Sequence, residues 1–276
     1  MQERSDIQAL RRLVAAFEPP ADSQEAAFTL GTEGPDEAIG GLRRAALHEV
    51  AAASEADAAA AAGFTLGLCL RAALTGATPE RAARRAGGHA ARAVLWVRQR
   101  YGEAETGALH PPGLRHLGFH PQALVEVRLG HARDVLRAGV EAAACGALCA
   151  VVIEPWGEPA VLDLTATRRL ELAAEASGTP VFLLRPSGAA GASAARTRFR
   201  VAAAPSRPLE ANAPGHPAFD IVLVRNRAGR HGLAWRVEWN NEDQRFAEQA
   251  LLRPVVSLPA DRPAAAGGPA AWRRAG

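Results

Sequence analysis

Short apolar runs alternate with amphipathic stretches through the middle of the chain, from residue 28 to residue 186. The apolar runs predict buried β-strands, and stretches with apolar positions at helical spacing predict helices between them. The predicted strands are Ala46–Val50, Ala93–Val97, Leu124–Val127, Leu148–Ile153 and Val181–Leu184. One helix is predicted to begin near Gly63, and four others are predicted at Thr78–Ala86, Gly113–Leu117, Ala132–Ala144 and Thr165–Ala176. Arg98–Pro112 is predicted to be a loop. This alternation implies right-handed crossovers and an α/β fold, with a mainly parallel twisted sheet and helices on both faces.

The pattern changes after residue 190. Three predicted strands follow without helices between them, at Arg196–Ala202, Phe219–Val224 and Leu233–Trp239. They predict an antiparallel C-terminal meander added to one edge of the sheet. An amphipathic helix at Ser5–Phe17 ends at a proline pair, and the Pro-, Ala- and Gly-rich stretch from residue 259 predicts disorder. The predicted organisation is an N-terminal helix and linker (1–26), one domain (27–240) and a C-terminal extension (241–276).

Composition limits the chemistry of the protein. A chain of 276 residues can bury the core of one sizeable domain, and a net charge of +3 is too small to require a nucleic-acid partner. All 32 basic residues are arginine. A mechanism that depends on lysine, such as a phosphate-binding P-loop lysine or a Schiff base, is therefore excluded.

Cysteine usage and the N-terminus predict a cytoplasmic protein. Three cysteines (Cys69, Cys145 and Cys149) form no disulfide or zinc framework and are expected to be buried, inert thiols. The N-terminus has early acidic residues and no apolar signal-peptide region. The uncharged apolar run Ala58–Leu70 is shorter than the roughly 18 residues that indicate a membrane span.

The loop after the first predicted strand occupies the place where a strand–loop–helix unit would bind phosphate. Its sequence is AAASEADA, with alanines where close approach to phosphate needs glycines. Glu55 and Asp57 would repel anions, and no lysine is present. The loop predicts that ordinary ATP binding is lost.

Seven blocks of sequence give the chain a family resemblance. They are FTLGTEGPDEAIGGLRRAALHEV (28–50), RAVLWV (92–97), HPPGLRHLGFHPQALVEVR (110–128), GALCAVVIEP (146–155), DLTATRRLELAAEASGTPVFLLRP (163–186), SAARTRFRVAAAPS (193–206) and IVLVRNRAGRHGLAWRVEW (221–239). The order resembles the RecA-like core, and most closely the ImuA family of RecA-related mutagenesis proteins. The resemblance implies a partner role beside an ImuB-type Y-family polymerase homologue and an error-prone replicative-type DNA polymerase, in a damage-induced translesion synthesis assembly.

The resemblance also implies where a nucleotide site would lie. Ser54, Thr65 and Glu154 stand at its vestigial positions, with Glu154 at the strand end where RecA-like ATPases hold magnesium through an aspartate. The second strand continues as Arg98-Gln99-Arg100, without the acid that orients water, and Glu103 and Glu105 follow in the predicted loop. We therefore expect no catalytic residue, no cofactor and no metal. The alternative role for Glu154 is a strand-end carboxylate bound by an arginine or by backbone N–H groups.

Basic residues are the candidates for DNA or partner binding. Arg196, Arg198 and Arg200 alternate along one predicted strand, and Arg225 and Arg227 end another. In RecA-like filaments the first region borders a DNA-binding loop, and a pair matching Arg225 and Arg227 reaches a neighbour's nucleotide. Here the loop 187–192 is short and has no aromatic ring for base stacking. A solvated charged face is the alternative.

Three functions remain open from the sequence. The first is a non-enzymatic RecA-fold adaptor, with RecA and single-stranded DNA as further contacts. The second is a residual nucleotide-binding protein or DNA-stimulated ATPase. The third is a regulator that docks on RecA or, like SulA-type relatives, on a cell-division protein. Among the eight histidines no catalytic or ligand spacing is found, and His48 is expected to be a packed, hydrogen-bonded residue.

Overall fold

The structure is a computed structural model that describes residues 27–75, 93–188 and 191–249. The helices predicted at Ser5–Phe17 and Thr78–Ala86 lie outside the described residues, as does the segment from residue 259.

Within the described residues, nine strands form one sheet in the order β11-β10-β9-β8-β3-β7-β6-β4-β5. The strands are β3 Leu47–Ala52, β4 Val94–Gln99, β5 Leu124–Leu129, β6 Ala150–Glu154, β7 Val181–Arg185, β8 Thr197–Ala204, β9 Ala218–Asn226, β10 Leu233–Asn240 and β11 Arg245–Glu248. Six neighbouring strands, β8, β3, β7, β6, β4 and β5, are parallel to one another. Beyond β8, each of β9, β10 and β11 pairs antiparallel with the strand before it. Two short strands, β1 Ala27–Phe28 and β2 Leu42–Arg43, pair separately.

The helices are α1 Glu33–Ile39, α2 Ala58–Thr75, α3 Arg100–Thr106, α4 Pro111–His116, α5 Ala132–Ala143 and α6 Leu164–Ser177. The side chain of Asp163 caps α6 by accepting a hydrogen bond from the Ala166 amide at 2.7 Å. Gly178 ends the same helix with a left-handed backbone at φ 74°, a conformation that glycine adopts without steric cost. The sequence signals at both ends of α6 therefore account for its length.

Two apolar layers cover the two faces of the sheet. On one face α2 presents Phe64 and Leu68 to the even-numbered side chains of β3, such as Val50. On the other face α5 and α6 present Val135 and Leu170 to Leu47 and its neighbours. The strands β6 and β7 are buried along their whole length, as expected for the centre of a parallel sheet.

The predicted fold class is confirmed: the protein is α/β and RecA-like, with a mainly parallel sheet and an antiparallel C-terminal meander. Several details of the prediction are wrong. The sequence predicts no helix where α1 lies, and Arg98–Pro112, predicted to be a loop, contains the end of β4, helix α3 and the start of α4. The first predicted meander strand, β8, is parallel to β3, so the antiparallel part starts at β9. The sheet also continues past residue 240 into β11, a strand of four residues in which only Phe246 is buried, so its local strand signal is weak.

Helix α2 is the largest departure from the predicted elements. It begins at Ala58 rather than near Gly63, because a short 3₁₀ turn at Glu55–Asp57 leads directly into an alanine run with high helix propensity. Residues Glu55–Leu74 are long and apolar enough to cross a membrane by length and composition. Here α2 packs on the central strands, and a buried core helix has the same composition.

Two glycines of α2 should respond in opposite ways to alanine. A Cβ at Gly67 would lie 2.5 Å from Phe246 Cζ and 3.0 Å from Trp239 Cε3, whereas one at Gly63 would lie 3.4 Å from Phe219 Cε1. We expect Gly67→Ala to lower the free energy of unfolding by about 1–2 kcal/mol, since overpacking outweighs the gain in helix propensity. We expect Gly63→Ala to raise it by up to about 1 kcal/mol. Urea unfolding of both variants checks this, and stabilisation by both would contradict the packing of α2 against β10 and β11.

Candidate functional site

Hydrogen bonds of the Ser54 and Asp57 side chains hold the turn that follows β3. The Ser54 hydroxyl donates to Asp57 Oδ2 at 2.6 Å, and Asp57 Oδ1 accepts from the Ala203 amide at 2.9 Å. The hydrogen bond from Ser54, with the one from Ala203, holds the pKa of Asp57 below its usual value. The turn therefore places a hydrogen-bonded carboxylate at the start of α2, where a phosphate cradle would need open backbone N–H groups.

Thr65, the second vestigial position, is separated from that turn. It lies well inside α2, is fully buried, and donates from Oγ1 to the Ala61 carbonyl at 2.7 Å. A hydroxyl committed to the preceding helical turn does not face a ligand. The structure thus does not bring Ser54 and Thr65 together in one binding surface.

Glu154, the third vestigial position, ends β6 and is 4% exposed. Its Oε2 accepts from Trp96 Nε1 at 2.6 Å, and its Oε1 accepts from Arg98 Nη2 at 2.9 Å. Burial raises the pKa of Glu154, and the Arg98 charge and the two hydrogen bonds oppose this rise. Both carboxylate oxygens are therefore occupied by β4, the neighbouring strand.

Arg98 is the centre of this polar cluster. Besides Glu154, its guanidinium donates to the Gly107 carbonyl and to Thr106 Oγ1, both at 3.2 Å, and lies 3.6 Å from Glu126 Oε1. The cluster ties β4, β5 and β6 to the end of α3. This arrangement matches the alternative role for Glu154, a strand-end carboxylate bound by an arginine.

The acids after β4 lie in α3 and not in the predicted loop. Glu103 Oε2 is 3.2 Å from Arg128 Nε, and Glu105 is exposed. At the end of β4, Gln99 accepts from the Trp156 amide at 3.1 Å. Gln99 is therefore held by the segment that follows β6.

Two of the predicted binding arginines form ion pairs inside the protein. Arg196 precedes β8 and lies 3.5 Å from Glu171 Oε1, while Arg198 Nη2 lies 2.8 Å from Glu49 Oε2. Glu49 and Glu171 are both buried. The inward alternation of Thr197, Phe199 and Val201 is as predicted, and the arginines face the α6 side. Arg196 and Arg198 thus stabilise the connection into β8.

The remaining three arginines differ in exposure. Arg225 donates from Nη1 to the Ser193 carbonyl at 2.7 Å and is half-buried. Arg200 and Arg227 are exposed. Of the five predicted residues, Arg200 and Arg227 have the geometry for contact with another molecule.

Predictions were also made for the burial of His48 and of the three cysteines. His48 is fully buried, with Nε2 donating to the Arg43 carbonyl and Nδ1 facing Thr197 Oγ1, each at 2.7 Å. Burial lowers the pKa of His48 to about 4, so the ring is neutral at pH 7. The prediction for His48 is confirmed. Cys69 and Cys149 are buried as predicted, but Cys145 is exposed, because it follows the end of α5 in a turn.

A cleft of about 850 Å³ lies beside the start of α2 at the carboxyl ends of the parallel strands. Its wall combines Leu66 and Phe219 with Trp96, Arg98 and Glu154. Three histidines also line it, at positions 110, 116 and 216. Sequence reasoning missed this cleft because its walls come from segments far apart in the chain.

In the part of the chain that the structure describes, no group of three or more His, Cys, Asp or Glu side chains could hold a metal ion.

The fold defines a RecA-like α/β protein. No family model matches the chain. Protein ImuA of Caulobacter vibrioides strain NA1000 / CB15N is 35% identical over 206 residues, covering 70% of this chain and 75% of the relative. Protein ImuA of strain ATCC 19089 / CIP 103742 / CB 15 gives the same values. The chain belongs to the ImuA family. Among solved structures, the crystal structure of the RadB recombinase aligns with 81% of this chain and 100% of its own, at 13% identity and a TM-score of 0.49.

Proposed function

We propose that this protein is a non-catalytic RecA-fold accessory protein of a DNA-damage-induced translesion synthesis (SOS mutagenesis) complex. It acts in the cytoplasm through contacts with an ImuB-type Y-family polymerase homologue and an error-prone replicative-type DNA polymerase. RecA and single-stranded DNA are further contacts of the same assembly. Membership of the ImuA family supports this role.

The observation that carries the proposal is that the three nucleotide-site positions are all engaged in internal bonds. Ser54 is bound to Asp57, Thr65 to the Ala61 carbonyl, and Glu154 to Trp96 and Arg98. A chain without lysine has no side chain to replace the P-loop ammonium group. Hydrolysis of a nucleotide would require breaking these bonds and would still lack the phosphate-binding lysine.

The test is complex formation with the purified ImuB-type partner, together with titration of a fluorescent ATP analogue. We expect the full-length protein and the partner to co-elute at micromolar concentrations, and we expect no saturable binding of the analogue. Absence of a complex at these concentrations would overturn the adaptor role. Saturable binding that is weakened by Glu154→Gln would instead favour a residual nucleotide-binding protein.

A further inference from the structure

A groove of about 550 Å³ separates α5 from α6 on the face of the sheet opposite α2. Its floor is apolar and consists of Leu136 and Val140 from α5, Ala166 from the first turn of α6 and Val161 from the segment before α6. These side chains extend the buried layer around Val135 to the surface. The groove is therefore a place where the core on this face remains open to solvent.

Three arginines rim the groove. Arg133 and Arg137 are one turn apart on α5, and Arg169 faces them from α6. All three are exposed, and none has an ion-pair or hydrogen-bond partner among the described residues. This differs from Arg98, Arg196 and Arg198, each of which is paired with a carboxylate.

The carboxylates of the groove do not neutralise this rim. Asp163 is engaged as the cap of α6, and Glu141 is exposed at the far end of α5. Three arginines against two carboxylates leave the lining of the groove with a positive excess.

We propose that the α5–α6 groove binds an acidic amphipathic segment of a partner protein. The leucine-type side chains of that segment would fill the floor, and its Asp and Glu side chains would pair with Arg133, Arg137 and Arg169. This inference rests on the proposed function, because the partner is the polymerase homologue of that assembly. It assigns the docking face to the α5–α6 side of the sheet.

A protein segment fits the groove better than a nucleic acid does. Burying aliphatic side chains against an apolar floor is favourable. Sites that bind single-stranded nucleic acid instead combine basic residues with aromatic rings on which the bases stack. No aromatic residue lines this groove within the described part of the chain. An acidic amphipathic segment can form ion pairs with the arginines and bury its apolar side chains on the floor at the same time.

The test compares three forms of the full-length protein for binding to the purified partner. The groove variant carries Arg133→Glu, Arg137→Glu and Arg169→Glu. The matched control carries Arg100→Glu, Arg115→Glu and Arg207→Glu, which are exposed arginines outside the groove and give the same change in net charge. We expect the groove variant to bind at least about tenfold more weakly and the control to bind within about twofold of the unmodified protein. Thermal unfolding confirms that each form is folded.

Overlapping synthetic peptides that cover the partner sequence then identify the segment. We expect the binding peptide to be net acidic with aliphatic residues at helical spacing, and a version with Lys in place of Asp and Glu to recover binding to the groove variant. Equal binding by the groove variant and the unmodified protein would overturn the inference and leave the proposed function standing. No binding by any form would remove both. Loss of binding to a fluorescent single-stranded oligonucleotide, with partner binding unchanged, would assign the groove to nucleic acid instead.

Discussion

Replacing Glu49 with alanine is expected to lower the free energy of unfolding by about 3–5 kcal/mol. Glu49 is fully buried in β3 and binds three groups, Arg198 at 2.8 Å, Ser193 Oγ at 2.6 Å and Arg185 at 3.5 Å. Its removal leaves two largely buried guanidinium groups without their shared carboxylate. Urea unfolding followed by circular dichroism measures the effect.

Glu158→Ala is the matched control, because Glu158 is the other carboxylate near Arg185. It lies 3.9 Å from Arg185 Nη2, and its side chain is 56% exposed. Because the Glu158 carboxylate is exposed to solvent and 3.9 Å away, its interaction with Arg185 is worth about 0.2–1 kcal/mol, so the control should lose no more than that. A loss below about 1 kcal/mol for Glu49→Ala would show that solvent replaces the buried carboxylate.

The hydrogen bonds around Glu49 also limit which arginines of β8 and β9 are available to another molecule. Arg198 donates to the Gly191 carbonyl and to Ser193 Oγ, and Arg225 donates to the Ser193 carbonyl. These bonds attach the connection between β7 and β8 to the sheet. Contact with another molecule through Arg198 would compete with them, whereas exposed Arg200 and Arg227 are not held in this way.

The sequence predicted the architecture well because the strong signals are local. The apolar runs that became β6 and β7 are buried at every position, and the caps of α6 lie within its own segment. The elements that were missed carry weak local signals. β11 is short and mostly exposed, and the alanine run before Gly63 lacks the apolar–polar periodicity that marks an amphipathic helix.

The partners of charged residues could not be predicted from the sequence in the same way. Arg98 meets Glu154 at a separation of 56 residues, and Arg198 meets Glu49 at a separation of 149. Nothing near any of these positions in the chain indicates the pairing, because the sheet order brings the strands together. The sequence could therefore predict a loop without the glycines and lysine of a phosphate cradle, but not that Glu154 is held by Arg98. It also could not predict that the arginines around the α5–α6 groove have no side-chain partner among the described residues.

Phe64→Ala in α2 is expected to lower the free energy of unfolding by about 3–5 kcal/mol. Phe64 is fully buried, and its ring centroid lies 5.0 Å from that of Phe246, 5.6 Å from that of Phe199 and 6.0 Å from that of Phe219. These rings come from β11, β8 and β9, which places Phe64 between the parallel sheet and the antiparallel meander. Truncation removes its contacts with all three and leaves a cavity that rigid neighbouring rings fill poorly.

Leu74→Ala provides the control on the same helix. Leu74 is 36% exposed near the end of α2, so its truncation should cost about 1 kcal/mol or less. Urea unfolding of both variants gives the comparison, and hydrogen exchange of the backbone amides of β10, whose Trp239 ring lies 4.8 Å from that of Phe246, reports on the meander. Unfolding of the meander at lower urea than the parallel strands in Phe64→Ala would show that this ring joins two separable parts. A loss as small as that of Leu74→Ala would contradict the docking of α2 on β8, β9 and β11.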